Sequence, residues 1–164
     1  MNDDTRSPIR STDDEARTLA RKLLSTARFA ALGVVHPETN TPMVTRIGLG
    51  TSLNGSPLTL ISSLSLHTKA LRKASSASLL VGEPAEKGDP LTHPRLTLQV
   101  EARFVERSSA QHDGFREHYL TQHPKAQLYI DFTDFTFVRF NLCEAYLNAG
   151  FGKAFHLFPK DFEV

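Results

Sequence analysis

The 164-residue chain is about the size of one ordinary domain and is too short for two well-built ones. Its hydrophobic share of 40% suffices for a core, and 19 basic against 18 acidic residues give no electrostatic attraction to nucleic acid or to an anionic membrane. No apolar run approaches the roughly 20 residues that span a bilayer, and the polar start lacks a signal-peptide core. We expect a cytoplasmic protein with a disordered arm at residues 1–11 and one domain at 12–164.

The first part of the domain alternates between helix and strand patterns. Thr12 and Glu15 fit a capping box that begins an amphipathic helix over residues 16–26. A second, short helix is predicted from Ser65 to Ala74, where the apolar residues share one face. Four segments have strand composition and are bounded by turn residues: 29–36, 43–49, 58–62 and 77–81.

The second part opens with the clearest strand pattern in the chain. Apolar and polar side chains alternate throughout residues 96–104, so one face of this strand is core and the other is polar. A helix is predicted at 108–122, with its first residue as N-cap, and two last strands at 135–140 and 145–149. Mostly antiparallel strands with few helical connections indicate a closed barrel and not a sheet of βαβ units.

Cysteine and histidine usage argues against disulfide and metal chemistry. Cys143 is the only cysteine, which excludes an intrachain disulfide and favours a reducing compartment. It lies in an apolar, strand-like run, so we assign its thiol a packing role and not that of a nucleophile. His112, His118 and His123 lack the spacing that places two ligands on one helix face, so we expect no zinc site.

The segment from Ser62 to Lys69 carries the richest chemistry. A strand ends at the paired hydroxyls of Ser62 and Ser63 and turns into a helix whose first turn holds His67, Thr68 and Lys69. A helix N-terminus exposes unpaired N–H groups and partial positive charge, so it suits a phosphate. The alternative is an ordinary capped helix with a solvated lysine.

Arg46 is the second candidate in this region. It lies in the middle of a predicted strand, where an unpaired charge facing the core would be costly. Its guanidinium must therefore face solvent, a carboxylate or a bound anion. If the Asn54–Gly55 turn makes neighbours of the strands that carry Arg46 and Ser62, both residues approach one phosphate.

Several short motifs occur in the order typical of one known family: Leu60–Leu64 followed by His67–Thr68, Ser78–Val81, Arg95–Leu98, Tyr129–Phe135 and Gly150–Ala154. From about Ala16 to Phe158 the chain resembles the pyridoxamine 5'-phosphate oxidase-like FMN-binding split-barrel family, and it is most similar to the heme-utilisation and heme-degrading branch. The resemblance implies a mainly β fold with flanking helices. It implies a six-stranded antiparallel split β-barrel that forms a homodimer with two FMN sites at the subunit interface.

The resemblance also implies roles for individual residues. By position, Arg46 and Lys69 bind the FMN phosphate, with help from Ser63 and Thr68. The other implied cofactor contacts come from the same subunit or, for the last three, from its partner: Thr45, Ile47, Ser62, His67, Arg95, Thr97 and Gln99. For those last three residues an ordinary exposed strand face is the alternative.

The chain departs from the family pattern at a few positions. Ala70 stands where relatives have an amide, which removes one possible ligand, and Ala149 stands where they have a second glycine. The true oxidase holds pyridoxamine phosphate with C-terminal Arg and His residues. After Gly152 this chain has only two lysines and His156 to offer, so we do not expect vitamin B6 oxidation.

Two other reactive constellations are interpreted as structural. Asp131 and Asp134 bracket a turn in an aromatic-rich stretch, and turn capping accounts for them better than acid–base catalysis. Ser62 or Ser63 with His67 lacks both a nucleophile elbow and a third catalytic partner. No catalytic residue is therefore assigned.

We predict a flavin-dependent oxidoreductase that acts on an unknown small molecule, with FMN supplying the redox chemistry and the protein supplying binding and orientation. The first alternative is a heme-binding or heme-degrading protein, because heme-degrading relatives bind heme through a histidine near the C-terminus and His156 lies near that region. A strand-end surface histidine is the other interpretation of His156. The second alternative is a non-enzymatic flavin-binding dimer.

Overall fold

The computed structural model of the protein describes residues 8–163, which are built mainly of strands. The α-helices are α1 (Asp14–Thr26), α2 (Leu66–Lys73) and α3 (His112–Gln122). The strands are β1 (Ile9–Arg10), β2 (Phe29–Val35), β3 (Pro42–Gly48), β4 (Gly50–Thr51), β5 (Pro57–Ser62), β6 (Ser76–Val81), β7 (Arg95–Phe104), β8 (Phe135–Asn148) and β9 (Ala154–Leu157). Short 3-10 turns lie at Pro90–Thr92, Pro124–Leu128 and Pro159–Phe162.

The strands form one mixed sheet. Hydrogen-bonded neighbours follow the order β1–β9–β8–β7–β6–β2–β3, while β5 pairs with β8 and with β4. Every pairing is antiparallel except that of β1 with β9. Within residues 8–163 no ladder joins β3 to β5, so hydrogen bonds do not close the sheet. The mainly β fold with flanking helices is confirmed, but the expectation of a closed barrel was wrong, because β5 pairs with β8 and not with β3. The predicted count of six strands is not confirmed, since the short strands β1 and β4 also join the sheet.

The long strand β8 organises this sheet. It runs without a break through the two segments predicted as separate strands, and its first half pairs with β5 while its second half pairs with β9. Its pairing with β7 shifts register at a bulge, where Leu142 opposes Val100 and Glu144 opposes Gln99. Cys143 lies between them with an exposed side chain, so its predicted packing role was wrong. A bulge residue has no partner on the neighbouring strand.

The N-terminal region differs from its prediction in two details. Asp13, not Thr12, caps α1 by accepting a hydrogen bond from the backbone of Ala16 at 2.8 Å. The Thr12 hydroxyl instead donates to the carbonyl of His156. Of the predicted arm, residues 1–7 lie outside the described residues, whereas Ile9–Arg10 pairs in parallel with β9 and is not disordered.

Two hydrophobic clusters fill the interior. The larger one joins α1, α2 and one face of the sheet, and includes Leu32, Leu98 and Phe140. The smaller one lies under α3, where Tyr119 and Phe137 are buried. Helix α3 begins at His112 after the cap residue Gln111, four positions later than predicted. None of the described helices combines the length and the apolar composition that crossing a membrane requires.

Candidate functional site

One face of the sheet turns away from the larger core, and we call it the outer face. Strand register places six of its residues in a single row, each directly opposite the next: Arg46, Ala31, Leu80, Thr97, Tyr146 and His156. The row spans five strand spacings, or about 24 Å between its ends. It therefore brings residues from six strands onto one continuous surface.

This outer face combines a flat centre with an apolar and cationic rim. Ala31, Gly33 and Ser78 occupy its centre, so little side-chain bulk rises above the backbone there. On the β3 side Val44 is 70% exposed, and the Arg46 guanidinium lies over the ring of Phe29, 5.2 Å from its centroid. A flat, partly apolar molecule with an anionic group matches this combination.

Thr45 and Ile47 lie on the opposite face of β3 from Arg46, because successive strand residues alternate. Ile47 is buried in the larger core, so its side chain does not reach a ligand on the outer face. The Thr45 hydroxyl instead lies 3.2 Å from Nδ1 of His67, at the start of α2. This contact ties β3 to α2 one residue from Arg46 and two residues from Lys69.

Hydrogen bonds within the protein occupy several of the predicted phosphate ligands. The Ser62 hydroxyl donates to Oδ2 of Asp134 at 2.6 Å and accepts from the backbone N–H of Leu64. Thr68 is buried, and its hydroxyl donates to the carbonyl of Ser62 at 2.6 Å. Ser62 and Thr68 therefore shape the turn before α2 and are not free to bind an anion.

Other groups around the start of α2 have no partner among the described residues. Ser65 precedes the helix without a side-chain cap, and although its carbonyl accepts from the N–H of Thr68, the N–H groups of Leu66 and His67 stay unpaired there. Neither Ser63 nor Lys69 has a side-chain partner among the described residues, and both are exposed. Burial lowers the pKa of His67, which favours a neutral imidazole beside Thr45. Within residues 8–163 this region thus retains two cations, Arg46 and Lys69, that form no ion pair with a carboxylate.

The strands that carry Arg46 and Ser62 are not hydrogen-bonded neighbours, contrary to the hairpin prediction. Strand β5 pairs with β8, and a side-chain bond from Thr59 to the carbonyl of Gly48 is what links it to β3. The Asn54–Gly55 turn does form, with Gly55 at φ +83°. It joins β5 to the two-residue strand β4 instead of to β3.

Arg95, Thr97 and Gln99 lie on the outer face, as their alternation predicted. Thr97 belongs to the row that starts at Arg46, and Gln99 opposes Ser78 on β6. Arg95 donates one hydrogen bond to the carbonyl of Leu91, which fixes its guanidinium beside the preceding loop. These three residues share a surface with Arg46, although their strand is the third one away from β3 in the sheet.

His156 belongs to an aromatic cluster that sequence reasoning did not find. Its ring stacks on Tyr146, lies 4.5 Å from the ring of Phe158, and donates from Nε2 to Glu144 at 2.7 Å. Nδ1 of His156 has no partner among residues 8–163. The cluster forms because the register of β8 and β9 places Tyr146 opposite His156, and no local sequence pattern predicts that register.

The structure also resolves the two aspartates of the aromatic-rich turn and adds one residue. Asp131 forms a two-point ion pair with Arg116 at 2.6 and 2.8 Å, whereas Asp134 accepts from Ser62. Arg139 was not predicted. It is half-buried opposite Arg103, and within the described chain its guanidinium has no hydrogen bond or ion pair. It adds a further unpaired cation to the outer face.

These features define a split-barrel fold of the pyridoxamine 5'-phosphate oxidase-like type. The chain belongs to the family described as CREG, beta-barrel, whose model matches residues 11–163. It is 36% identical over 98 residues to the non-canonical heme oxygenase HOZ, a chloroplastic protein of Arabidopsis thaliana. That match covers 60% of this chain and 29% of the plant protein, so the chain spans less than a third of this curated relative.

Solved structures share this fold. A heme binding protein from Mycobacterium smegmatis is 22% identical, with a TM-score of 0.80 over 90% of this chain and 59% of its own. A protein related to general stress protein 26, of the pyridoxinephosphate oxidase family, from Clostridium acetobutylicum is 13% identical, with a TM-score of 0.68 over 92% of this chain and 99% of its own. At these identities the likeness concerns the fold.

Proposed function

We propose that this protein binds FMN and works as a flavin-dependent oxidoreductase on a small molecule. The observation that carries the proposal is a set of unpaired donors on the two sides of the β3–α2 contact. Among the described residues Arg46, on the outer face of β3, and Lys69, on α2, form no ion pair, and the N–H groups of Leu66 and His67 have no acceptor. Such a group suits a dianionic phosphate, because each charge-assisted hydrogen bond contributes about 1.5–3 kcal/mol.

The isoalloxazine ring then lies on the flat centre of the outer face. Ala31, Gly33 and Ser78 leave room for a planar ring, and Phe29 and Leu80 offer apolar contact beside it. When bound, flavin supplies hydride and electron transfer. The protein contributes binding, orientation and exclusion of water, so no nucleophile or catalytic triad is required.

The proposal includes a homodimer, with Arg95, Thr97 and Gln99 reaching the cofactor of the partner subunit. Exposed apolar side chains on the outer face support this, since Val44, Leu80 and Tyr146 all present large apolar area to solvent. Pairing two outer faces would cover that area. The exposed free thiol of Cys143 fits a reducing cytoplasm.

Fluorescence titration tests the phosphate site. FMN fluorescence should be quenched saturably by the protein, and Arg46→Ala or Lys69→Ala should each weaken FMN binding about tenfold. Riboflavin, which has no phosphate, should bind more weakly and be insensitive to both changes. Arg103→Ala is the matched control, because this outer-face arginine already pairs with Glu101 at 2.6 Å. Unchanged FMN affinity in both variants would refute the phosphate assignment.

Turnover is tested separately from binding. The FMN-loaded protein should oxidise a reduced nicotinamide faster than the same concentration of free FMN. If FMN binds but the rate equals that of free FMN, the non-enzymatic flavin-binding dimer replaces the oxidoreductase. Size-exclusion chromatography should show a dimer that Val44→Arg dissociates, because this change places a charge on the exposed apolar rim that the proposed interface covers.

Heme binding is the second candidate, and the 36% identity to a heme oxygenase favours it. Nδ1 of His156 is available as an iron ligand, and the stacked Tyr146 and Phe158 offer apolar contact to a porphyrin. Arg95 lies on the neighbouring strand β7, two residues from Thr97, which opposes Tyr146, and its guanidinium suits a propionate.

Hemin titration separates the two candidates. A Soret band that saturates at one heme per subunit supports heme binding, and His156→Phe should abolish or shift it while keeping the ring stack on Tyr146. His118→Phe, a change on α3, serves as the control. A Soret band that His156→Phe leaves unchanged contradicts the ligand assignment. Failure of hemin to bind eliminates this candidate.

A further inference from the structure

A groove of about 860 Å³ lies on the edge of β8, and none of its lining residues belongs to the proposed cofactor site. Its walls are the last turns of α1, the tip of the β4–β5 hairpin and the turn that follows β9. Its volume falls in the range of about 300–1,000 Å³ that is usual for small-molecule sites.

The groove exists because β8 changes partners. Strand β5 pairs with β8 only as far as Arg139, and β9 begins pairing only at Ala145. The edge of β8 between these two points is left without a strand neighbour. The floor of the groove is apolar. It consists of Leu142 and Phe162, which are half-buried, and of the buried Leu24.

Hydrogen-bond donors dominate the rim. Asn54 uses its carbonyl oxygen to accept from Ser52 and from the backbone of Ser56, which leaves its NH2 group free. Within the described residues Lys22 has no partner for its ammonium group. Arg21 is held by the carbonyls of Asp161 and Glu163 and keeps further N–H groups unused.

Acidic and basic side chains are distributed unevenly along the groove. Among the described lining residues the one side-chain carboxylate is that of Glu163, at the end where Arg21 is held. Elsewhere on the rim Lys22 and the amide of Asn54 supply donors that have no acceptor within the described chain. An apolar floor beneath surplus donors suits a ligand with an aliphatic body and an acceptor head.

We propose that this groove binds a small amphipathic carboxylate, with its aliphatic body on Leu142 and Phe162 and its carboxylate beside Lys22 and Asn54. The site is separate from the cofactor face and does not depend on which cofactor binds there. Its ligand class is that of medium-chain fatty acids. The aliphatic body of the ligand can lie along the edge of β8 because neither β5 nor β9 pairs with that part of the strand.

The test is a calorimetric titration of the full chain with dodecanoate below its micellar concentration. We expect saturable binding at one site, and Lys22→Glu should weaken it about fivefold or more. Lys125→Glu makes the same charge change on an exposed turn outside the groove and should leave the affinity unchanged. Leu142→Asn should weaken dodecanol and dodecanoate alike, because it acts on the floor and not on the head group.

Amide chemical shifts locate the ligand. Dodecanoate should shift the signals of residues 53–56 and 141–142, while FMN or hemin should not. The proposal is overturned if no saturable binding occurs, if Lys125→Glu matches the effect of Lys22→Glu, or if the shifts map to the outer face. A groove occupied by a second copy of the chain would show those shifts on dilution without ligand, and this too would overturn it.

Discussion

The imidazole of His156 lies parallel to the phenol ring of Tyr146, with ring centroids 4.7 Å apart and 8° between their planes. Nε2 of His156 also donates to Glu144 at 2.7 Å, so two outer-face partners orient this ring. We expect His156→Ala to lower the free energy of unfolding by about 1–2 kcal/mol, through loss of the stack and the hydrogen bond. Urea denaturation measures this, and His156→Phe should recover part of the loss. Equal stability of all three proteins would contradict the prediction.

Asp161 anchors the C-terminal turn to α1. Its Oδ1 accepts from Arg17 at 2.8 Å and its Oδ2 accepts from the backbone N–H of Phe158 at 2.8 Å. Asp161→Ala removes both bonds and should destabilise the protein by about 2–3 kcal/mol. Asp14→Ala is the control, because Asp14 contacts the same Arg17 from a fully exposed position and should change stability little.

The same aspartate should make stability depend on acid pH. Burial alone would raise the pKa of Asp161, but the N–H of Phe158 and the guanidinium of Arg17 hold it below the usual 3.8. A carboxyl with a lowered folded-state pKa contributes stability above its unfolded pKa and loses that contribution as the pH falls. Unfolding measured between pH 6 and pH 2 should show a decline below about pH 4 that is smaller in Asp161→Ala.

His67 should make the stability of the protein depend on pH at less acidic values. Burial lowers its pKa from the usual 6.5, so the unfolded chain binds more protons there than the folded one. Stability then rises with pH through this range, and it is lost as the pH falls below about 6.5. His67→Gln should flatten this part of the stability profile between pH 8 and pH 5. A histidine NMR titration gives the pKa directly, and a value at or above 6.5 would contradict the assignment.

Tyr119 should produce the opposite slope in alkali. Burial raises its pKa well above 10, and its ring packs between His123 at 4.4 Å and Phe137 at 5.5 Å. Folded protein therefore holds the phenol proton longer than unfolded protein, and stability falls as the pH rises above about 10. Tyr119→Phe keeps the packing and should remove this part of the slope, as measured by denaturation between pH 8 and pH 11.

Sequence patterns located most elements because their hydrophobic periods are local. The predicted strand at 96–104 and the helix at 65–74 appear as β7 and α2, with their ends shifted by one residue. The N-cap of α1 was predicted less accurately. Thr12 and Asp13 both have side chains that can cap a helix. Asp13 is the cap because the Thr12 hydroxyl bonds to the carbonyl of His156, a residue far away in the chain.

Site residues were predicted less completely than elements. Residue type suggested that Ser62, Thr68 and Lys69 would all face a phosphate. In the structure the Ser62 hydroxyl donates to Asp134 and the Thr68 hydroxyl donates to the backbone carbonyl of Ser62. Both hydrogen bonds stabilise the turn before α2, so neither hydroxyl is available to a phosphate. Arg139 was not predicted as a site residue, because a single arginine within a strand indicates a binding site only when its neighbours on adjacent strands are known.

By itself the sequence determined where the chain alternates between helix and strand, which faces are apolar, and that Arg46 could not point into the core. These properties follow from side-chain chemistry and the period of each element. Only the tertiary structure decided that β5 leaves β3 for β8, that β8 bulges at Cys143, and that Arg46 and His156 share one row. Strand pairing and register depend on contacts between distant segments, where a shift of one residue reverses every face.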